Sequence, residues 1–489
     1  MKRGIFAGVL SLALVPVLLA QVESLPAPVV HGNSFEILSN SRYSIHSGFD
    51  STLSRQVLSN VLWAMNRVPH LGSYRDFYVA TPENVYWYDS TAHALVVHMS
   101  GDLRYSPGAA FEVGIACARH EEAGFAVQAG LLAGTAFWNH DSAVVASCPM
   151  KYAALHADSF WNPAESIKIV DVFGRAVTNG LMDSLQARSS DSTLPRPRTS
   201  GPDTFEVLMS NWHQDSLFSP VSPSLNDVSQ ILWAGNGVTP HLTYNNRRGT
   251  TIPSADALYY LTRLIYLVRE DGVWRYNNRR PPGTDLTTSD HRLELVVSGD
   301  RRPQLRSASS RIPSTAPVYV VVCALDTSRY RDMEEAGLAG FQYVTQALSL
   351  GLDGFLTVPL TPVERTQIIV ALGIPSDRPA LVFACGSPAS AVREAGNAAG
   401  TLLAVSSVVG RSLVQIDWSL GSANSGRLRV FDLAGRPVRE FVLARTTSGT
   451  GHLNWNATRE SGIRLAPGVY ICRLEAGGRS TAARFVLSR

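Results

Sequence analysis

Two kinds of hydrophobic pattern alternate along most of the chain. Apolar residues recur at helical spacing in SRQVLSNVLWAMN, residues 54–66, and in SLNDVSQILWAGN, residues 224–236. Continuous apolar runs occupy residues 318–322 and 380–384. The first pattern is typical of amphipathic helices and the second of buried strands. The sequence therefore predicts a mixture of helices and strands up to about residue 395.

The two helical segments share Leu-Trp-Ala, at residues 62–64 and 232–234, and further segments recur in the same order. These are VYWY and VWRY at 85–88 and 273–276, Ser-Gly-Asp at 100–102 and 298–300, Glu-Glu-Ala-Gly at 121–124 and 334–337, and the ends of two apolar runs at 173–174 and 385–386. The spacing between partners grows along the chain before it levels off. Colinear matches of this kind predict a duplication with a shorter first copy.

Changes in composition predict the domain boundaries. The first copy covers residues 36–186, and a linker rich in Ser, Pro, Thr and Arg covers 187–203. The second copy covers 204–395, and a second linker, rich in Gly, Ala and Ser, covers 396–410. Alternating strands with short turns then continue to residue 489. This last pattern predicts a C-terminal β-sandwich over 411–489.

The N-terminus predicts export. Lys2 and Arg3 precede an apolar run over residues 4–20, and small and polar residues follow it, as in a signal peptide. A membrane anchor is the alternative. Ser11 and Pro16 interrupt the run, however, and its length is marginal for a bilayer span. We therefore predict a signal peptide over residues 1–20 and no transmembrane span in the mature chain.

Composition and charge exclude several classes of protein. A hydrophobic fraction of 45% with 17% charged residues is typical of soluble globular domains. A net charge of +3 spread over 489 residues gives no field that favours nucleic acid. The five cysteines form no CxxC pair and no metal-ligand spacing, so no metal site is predicted, and we expect Cys323 and Cys385 to be buried free thiols. No GxSxG, P-loop, HExxH or strand-following GxGxxG motif is present.

Residues 205–393 carry an ordered set of features. After the Leu-Trp-Ala helix come Arg247-Arg248, PSADALY at 253–259, GVWRY at 272–276, the apolar run at 318–322, the helix GLAGFQYVTQALSLGL from Gly337, and ALGIPSDRPALVFACGSP at 371–388. This order resembles the nitroreductase superfamily of flavoproteins, particularly its SagB-type azoline dehydrogenases. The resemblance implies an α+β nitroreductase-like fold in two fused copies, a pseudo-dimer, with FMN as cofactor.

The resemblance implies a place for the flavin ring. Pro253, Ser254 and Ala255 match the segment whose backbone and short side chains approach the isoalloxazine edge. Asp256 stands where the family has glycine, and a carboxylate there disfavours hydride acceptance unless it points outward. An ordinary strand-to-helix turn is the alternative interpretation of this segment.

The family anchors the flavin phosphate with an Arg-x-Ser-x-Arg motif, because a dianion in a partly dry cleft needs charged donors. The first copy has Arg42, Ser44 and His46 at this place, whereas residues 212–216 of the second copy do not fit the motif. Arg175 is a further candidate donor to the phosphate. The alternative is that His46 and Arg175 are ordinary surface residues.

In the family, one subunit supplies the phosphate motif and its partner supplies the Pro-Ser-Ala segment. The first copy lacks that segment, which falls inside its first deletion. The resemblance therefore implies one composite site, in which Arg42, Ser44 and His46 face Pro253, Ser254 and Ala255. No catalytic side chain is singled out, since family enzymes move a hydride through flavin N5.

The C-terminal strands carry a second resemblance. VFDLAGRPV at 430–438, LNWN at 453–456 and LAPGVY at 465–470 resemble, in this order, the type A sorting domain recognised by the type IX (Por) secretion system. The resemblance implies an immunoglobulin-like sandwich, the type IX machinery as a partner, and passage through the periplasm to release or surface attachment. A generic adhesion domain is the alternative.

Two functions follow from these features. The first is an exported FMN-dependent oxidoreductase that acts on an unknown electron acceptor or on a peptide-derived heterocycle. The second is a flavin-free relative that serves as a secreted or cell-surface binding or structural protein. Export favours the second, since reduced nicotinamide is scarce outside the cytoplasm and FMN must be acquired there. A monomer is expected, because the fused pair already provides the family's dimer interface.

Overall fold

A computed structural model of the chain describes two compact units, residues 1–390 and 391–489. The residues described are 22–42, 49–50, 53–137, 145–176, 194–242, 248–254, 261, 264–278, 291–374, 377–388, 402–408, 413–419, 425–432, 436–444, 450–459, 461, 463–466, 468–476 and 479–487. The predicted signal peptide lies outside them. Among these residues, no helix is both long and apolar enough to cross a bilayer.

The first half of the larger unit, residues 22–176, is an antiparallel sheet with helices packed against it. Its elements are β1 (Val22–Ser24), α1 (Phe35–Ser41), β2 (Phe49–Asp50), α2 (Arg55–Asn66), β3 (Arg75–Ala80), β4 (Asn84–Asp89), β5 (Ala94–Ser100), β6 (Phe111–Cys117), α3 (His120–Thr135), β7 (Val145–Met150), α4 (Lys151–Phe160) and β8 (Ile167–Ala176). The strand order is β1-β5-β4-β3-β6-β8-β2, and β7 also pairs with β8.

The second half, residues 194–388, contains a corresponding set. Its elements are α5 (Phe205–Ser210), α6 (Leu225–Asn236), β9 (Val238–Leu242), β10 (Arg248–Thr250), β11 (Ile265–Arg269), β12 (Gly272–Asn277), β13 (Arg292–Ser298), α7 (Arg302–Ser307), β14 (Val318–Ala324), α8 (Tyr330–Ser349), β15 (Asp353–Thr357), α9 (Pro362–Leu372) and β16 (Arg378–Gly386). The main sheet has the order β13-β12-β11-β14-β16-β15, and β9 pairs with β10 in a separate hairpin.

The two halves place their recurring segments at matching points. The order β5-β4-β3-β6-β8-β7 in the first half equals β13-β12-β11-β14-β16-β15 in the second. Gly101 and Gly299 each follow the strand in the same place with a positive φ, +105° and +86°. The two parts of the chain that the sequence matches relate therefore have the same strand order.

The helices α3 and α8 pack against each other at the centre of the unit, and both are buried on nearly every side. A Cβ atom built on Gly124 would stand 2.2 Å from the carbonyl oxygen of Glu334, and one on Gly337 would stand 2.2 Å from that of Glu121. The two helices therefore approach backbone to backbone, with equivalent glycines on either side.

In each half, the same hydrogen-bond relay holds an extended segment of chain in place. In the first half, Ser59 Oγ donates to the Pro26 carbonyl at 2.5 Å, His93 Nε2 lies 2.8 Å from Ser59 Oγ, and Tyr88 OH lies 2.8 Å from His93 Nδ1. Since a hydroxyl has a single proton, Nε2 must donate to the serine and Nδ1 must accept from the tyrosine. The serine is therefore a structural group and not a nucleophile activated by histidine.

In the second half, Ser229, His291 and Tyr276 repeat this relay on the Pro195 carbonyl. Gln230 also holds the backbone N–H and C=O of Arg198 through its side-chain amide. Residues 194–203, which belong to the predicted linker 187–203, are therefore clamped to the second half at these points. Ser/Pro-rich composition did not indicate these contacts.

Burial of His291 predicts a pH-dependent stability. Desolvation lowers the pKa of His291 to about 4, and the residue is 6% exposed. The unfolded chain takes up this proton near the usual pKa of about 6.5. Stability is therefore complete above that value and falls as the pH drops from about 6.5 towards 4, by up to about 1.4 kcal/mol for each pH unit. Urea denaturation at several pH values measures this slope.

The matched variant for this measurement is His291→Gln, which places a polar amide in the relay and removes the titrating ring. The difference in unfolding free energy between the wild type and this variant should shrink as the pH falls from 7 to 4.5. A constant difference over this range would show that His291 is not the titrating group.

The second unit consists, where described, of strands alone. They are β17 (Leu402–Val408), β18 (Leu413–Ser419), β19 (Ser425–Asp432), β20 (Pro437–Ala444), β21 (Thr450–Trp455), β22 (Gly468–Ala476) and β23 (Arg479–Leu487). They form two antiparallel sheets, β17-β18-β21 and β20-β19-β22-β23. Ile416 and Trp455 of one sheet share a core with Leu428 and Leu474 of the other.

Four cysteines, Cys117, Cys323, Cys385 and Cys472, are buried free thiols, which confirms the prediction for Cys323 and Cys385. Desolvation raises the pKa of Cys472 to about 12, so this thiol stays protonated and unreactive. No cluster of metal-ligating side chains occurs among the residues that the structure describes.

Candidate functional site

The described site residues, Arg42, Pro253 and Ser254, lie on two segments that meet where Arg42 contacts residues 250–252. Arg42 directly follows α1 of the first half, and Pro253 and Ser254 follow β10 of the second half. Pro253 is buried and Ser254 is half-buried. Ser44, His46 and Ala255, together with Asp256, lie outside the described residues.

Arg42 connects the two segments. Its side chain is buried, and its Nε donates to the carbonyl of Thr251 at 2.8 Å. Its Nη2 donates to the carbonyl of Ile252 at 2.6 Å and to that of Thr250. A guanidinium presents five donors in a rigid plane, so one arginine can reach three neighbouring carbonyls. The first half therefore holds the backbone that leads directly into Pro253.

Two glutamines reinforce this contact. The carbonyl of Thr251 also accepts from Gln128 Nε2 and from Gln342 Nε2, each at 3.2 Å. Gln128 lies on α3 and Gln342 on α8, and both are fully buried. We call Arg42, Gln128, Gln342 and the backbone of residues 250–252 the Arg42 knot.

The second half holds the same backbone from its own side. The Thr251 N–H donates to the carbonyl of Gly237 at 2.9 Å, and Thr251 Oγ1 donates to that of Trp233 at 3.2 Å. Both acceptors belong to the end of α6 and the start of the hairpin. Residues 250–252 are thus buried between α1, α3, α6 and α8.

The first half has no counterpart of this hairpin. Its α2 ends at Asn66 and β3 begins at Arg75, and the described residues between them form no strand. The Pro-Ser-Ala segment therefore belongs to the second half alone, at the deletion that the sequence comparison indicated.

Residues 212–216 of the second half lack the phosphate motif. Their side chains form hydrogen bonds with other residues of the second half. Trp212 Nε1 donates to Thr345 Oγ1 at 3.2 Å, and the Leu356 N–H donates to Gln214 Oε1 at 2.6 Å. His213 Nε2 lies 3.4 Å from Asp353, and this carboxylate raises the pKa of the histidine. This segment closes against α8 and β15.

Two buried polar atoms test whether a flavin fits between the halves. Arg175 lies in β8, where its backbone is opposite Asp50 of β2, and its buried Nε has no hydrogen-bond acceptor among the described residues. Gln128 Oε1, also buried, has no donor among them. An unsatisfied cationic donor fits a phosphate, and an unsatisfied amide oxygen fits a ring N–H. In chemical type, these two groups are compatible with FMN.

Arg42 fits the phosphate less well than Arg175. Three of its N–H donors are engaged by carbonyls, so a bidentate phosphate contact through Nε and Nη2 requires the Arg42 knot to open. Its role as a phosphate ligand remains a prediction, as do the roles of Ser44 and His46.

Gln128 and Gln342 are the site residues that the sequence analysis missed. Each interrupts an apolar helix, in FAVQAGLL and AGFQYVTQ. A polar side chain inside a fully buried helix needs a hydrogen-bond partner, so its position was an available signal. Their shared partner, the Thr251 carbonyl just after β10, cannot be inferred from the pattern.

No protein-family model matches the chain, and no curated protein matches its sequence. Among solved structures, the chain is similar to a putative nitroreductase from Anabaena variabilis, with 12% identity and a TM-score of 0.48 over 71% of this chain and 93% of that one. It is similar to an FMN-dependent nitroreductase from Clostridium difficile, with 14% identity and a TM-score of 0.25 over 37% and 87%.

A third similar structure is PorZ, a surface component of the type IX secretion system of Porphyromonas gingivalis. The identity is 19% and the TM-score is 0.14, over 22% of this chain and 14% of that one. With TM-scores below 0.5, these similarities do not establish a family for the chain.

Proposed function

We propose that the chain is a nitroreductase-like, FMN-dependent oxidoreductase with a single composite flavin site between two fused copies of the fold. The observation that carries this proposal is the Arg42 knot. It joins the end of α1 in the first half to the backbone that enters Pro253 and Ser254 in the second. The two parts implied by the resemblance are therefore neighbours in space.

The pairing of the halves supports a pseudo-dimer. The equal strand order, the mutual approach of Gly124 and Gly337, and the repeated Ser-His-Tyr relays relate the halves element by element. A bridge between Ser34 and Thr204, which begin α1 and α5, adds another contact between corresponding residues. A fused pair arranged like a dimer has two places for a site, and only one includes the hairpin.

Bound FMN would supply hydride transfer through its ring system, and the chain would position that ring. Arg175, with Ser44 and His46, would hold the phosphate end. Pro253, Ser254 and the Gln128 amide would line the ring end. Burial of residues 250–253 between four helices would keep water from this side of the ring.

The mature chain is expected to bind one equivalent of FMN. Purified protein should carry a flavin absorbance spectrum or should gain one on titration with FMN, with saturation at one flavin per chain. Flavin fluorescence and absorbance at known protein concentration give the stoichiometry. Two equivalents would contradict the single composite site, and a colourless protein that takes up no added FMN would reject the flavin site altogether.

The second candidate is a flavin-free protein of this fold, with a binding or structural role outside the cell. The specific observation in its favour is that Arg42 directs three donors to backbone carbonyls instead of an open cleft. The hydrogen bonds that hold residues 212–216 against α8 and β15 also favour the flavin-free role. Failure to bind FMN is the result that this function requires.

We further propose export, with residues 411–489 as an immunoglobulin-like type A sorting domain read by the type IX machinery. Two antiparallel sheets around one core support the sandwich. The VFDLAGRPV, LNWN and LAPGVY segments support the sorting role. The chain is proposed to act as a monomer, with an unknown electron donor and acceptor.

A further inference from the structure

The contacts of Arg42 differ from those of a phosphate ligand. Its described acceptors are the carbonyls of three consecutive residues, Thr250, Thr251 and Ile252. The guanidinium thus spans one short stretch of backbone in the other half, and only 5% of the residue is exposed. A buried charge is tolerated where hydrogen bonds replace its water, and these carbonyls replace it.

The stretch that Arg42 spans is joined to the first half by few side chains. From its own half, it is held at Thr251 by Gly237 and Trp233. From the first half, Gln128 reaches only the Thr251 carbonyl. Arg42 contacts all three residues, so it fixes the course of the backbone immediately before Pro253.

Arg175 is better suited than Arg42 to bind a phosphate. Its Nε is buried without an acceptor among the described residues. The backbone of Arg175 lies opposite Asp50 in the β2–β8 strand pair, close along the chain to the predicted phosphate motif at residues 42–46. A cationic donor in this state is suited to a charge-assisted hydrogen bond with an anion.

We infer that Arg42 is a positioning residue that locks residues 250–254 of the second half onto the first half, and that the flavin phosphate is bound without it. The inference rests on the proposed function for its flavin part only. The lock itself is a property of the Arg42 knot and holds with or without flavin.

Comparison of FMN with riboflavin separates the two roles, because riboflavin lacks the phosphate and keeps the ring. The variants are Arg42→Ala, Arg42→Lys and, as the matched control, Arg175→Ala. Lysine keeps the charge but has no planar fork to span three carbonyls. Affinities are measured by fluorescence titration of the full mature chain with each flavin.

Arg42→Ala is expected to weaken FMN and riboflavin by the same factor, about tenfold or more, and Arg42→Lys should not restore either. Arg175→Ala should weaken FMN by about tenfold to a hundredfold and leave riboflavin within about twofold, as for loss of one charge-assisted bond. Weakening of FMN alone by Arg42→Ala, with rescue by lysine, would overturn the inference and return Arg42 to the phosphate.

Hydrogen exchange tests the lock when neither flavin binds. Amide protons of residues 248–252 are expected to exchange at least tenfold faster in Arg42→Ala and Arg42→Lys than in the wild type or in Arg175→Ala. Binding of neither flavin by the wild type would reject the proposed function while this measurement still decides the lock. Unchanged exchange of these amide protons in folded Arg42→Lys would overturn the positioning role of Arg42.

Discussion

Replacing Gly124 with alanine is expected to lower the free energy of unfolding by about 3 kcal/mol. The new Cβ would stand 2.2 Å from the Glu334 carbonyl oxygen and 2.9 Å from the Leu338 nitrogen. Both atoms belong to the backbone of α8, so neither can move aside as a flexible side chain does. The gain in helix propensity, about 1 kcal/mol, is too small to offset this overlap.

Gly337→Ala should cost a similar amount, because its Cβ would stand 2.2 Å from the Glu121 carbonyl oxygen. The matched control is Gly340→Ala on the same helix, whose Cβ would first meet the side-chain atoms Leu381 Cδ2 and Phe125 Cε1 at 3.0 Å. Denaturant titration compares the three variants. An equal effect of all three would mean that the close approach of α3 and α8 is not the cause.

Gly235→Met is the second substitution with a large expected effect, a loss of about 3 kcal/mol. A Cβ on Gly235 would stand 2.2 Å from ring atoms of Tyr343, which is fully buried and stacks on Phe383. At the matching place of the first half, the large residue is Met65 and the small one is Gly130, whose Cβ would stand 2.3 Å from Met65 Cε. In the first half the large residue of this contact lies on α2 and the glycine on α3. In the second half the glycine lies on α6 and the large residue on α8.

This exchange of sizes predicts a rescue. The double variant Gly235→Met with Tyr343→Gly copies the first half, and it should be more stable than Gly235→Met alone. Tyr343→Gly by itself leaves a cavity and is expected to cost about 3 to 5 kcal/mol. Thermal and chemical denaturation of the four proteins form a double-mutant cycle, and additive effects would contradict direct packing of the two positions.

Local patterns were sufficient for the periodic elements. The Leu-Trp-Ala helices were predicted from apolar spacing and occur as α2 and α6, and the apolar runs at 318–322 and 380–384 lie inside β14 and β16. Boundaries were less accurate. The helix placed from Gly337 begins at Tyr330, because its first two turns carry a charged sequence, YRDMEE, whose helical periodicity is weak.

The resemblance names the residues of the candidate site but not the hydrogen bonds that they form. Arg42, Pro253 and Ser254 follow from the resemblance, and the hairpin that carries the last two is present in the second half alone. That Arg42 would reach carbonyls instead of leaving its donors open depends on where α1 ends relative to residues 250–252. Such a relation is fixed by packing between elements far apart in the sequence, which no local pattern records.

The Arg42 knot has a consequence for the order of folding. Its bonds join residues separated by 208 to 210 positions along the chain. Contacts of such long range form only after a large loop has closed, and they delay the steps that need them. The contacts between Arg42 and residues 250–252 need the second half to be in place, so the site is complete only when the two halves have docked. A substitution that slows docking of the two halves would therefore lower the amount of assembled site before it lowers the amount of folded sheet in either half.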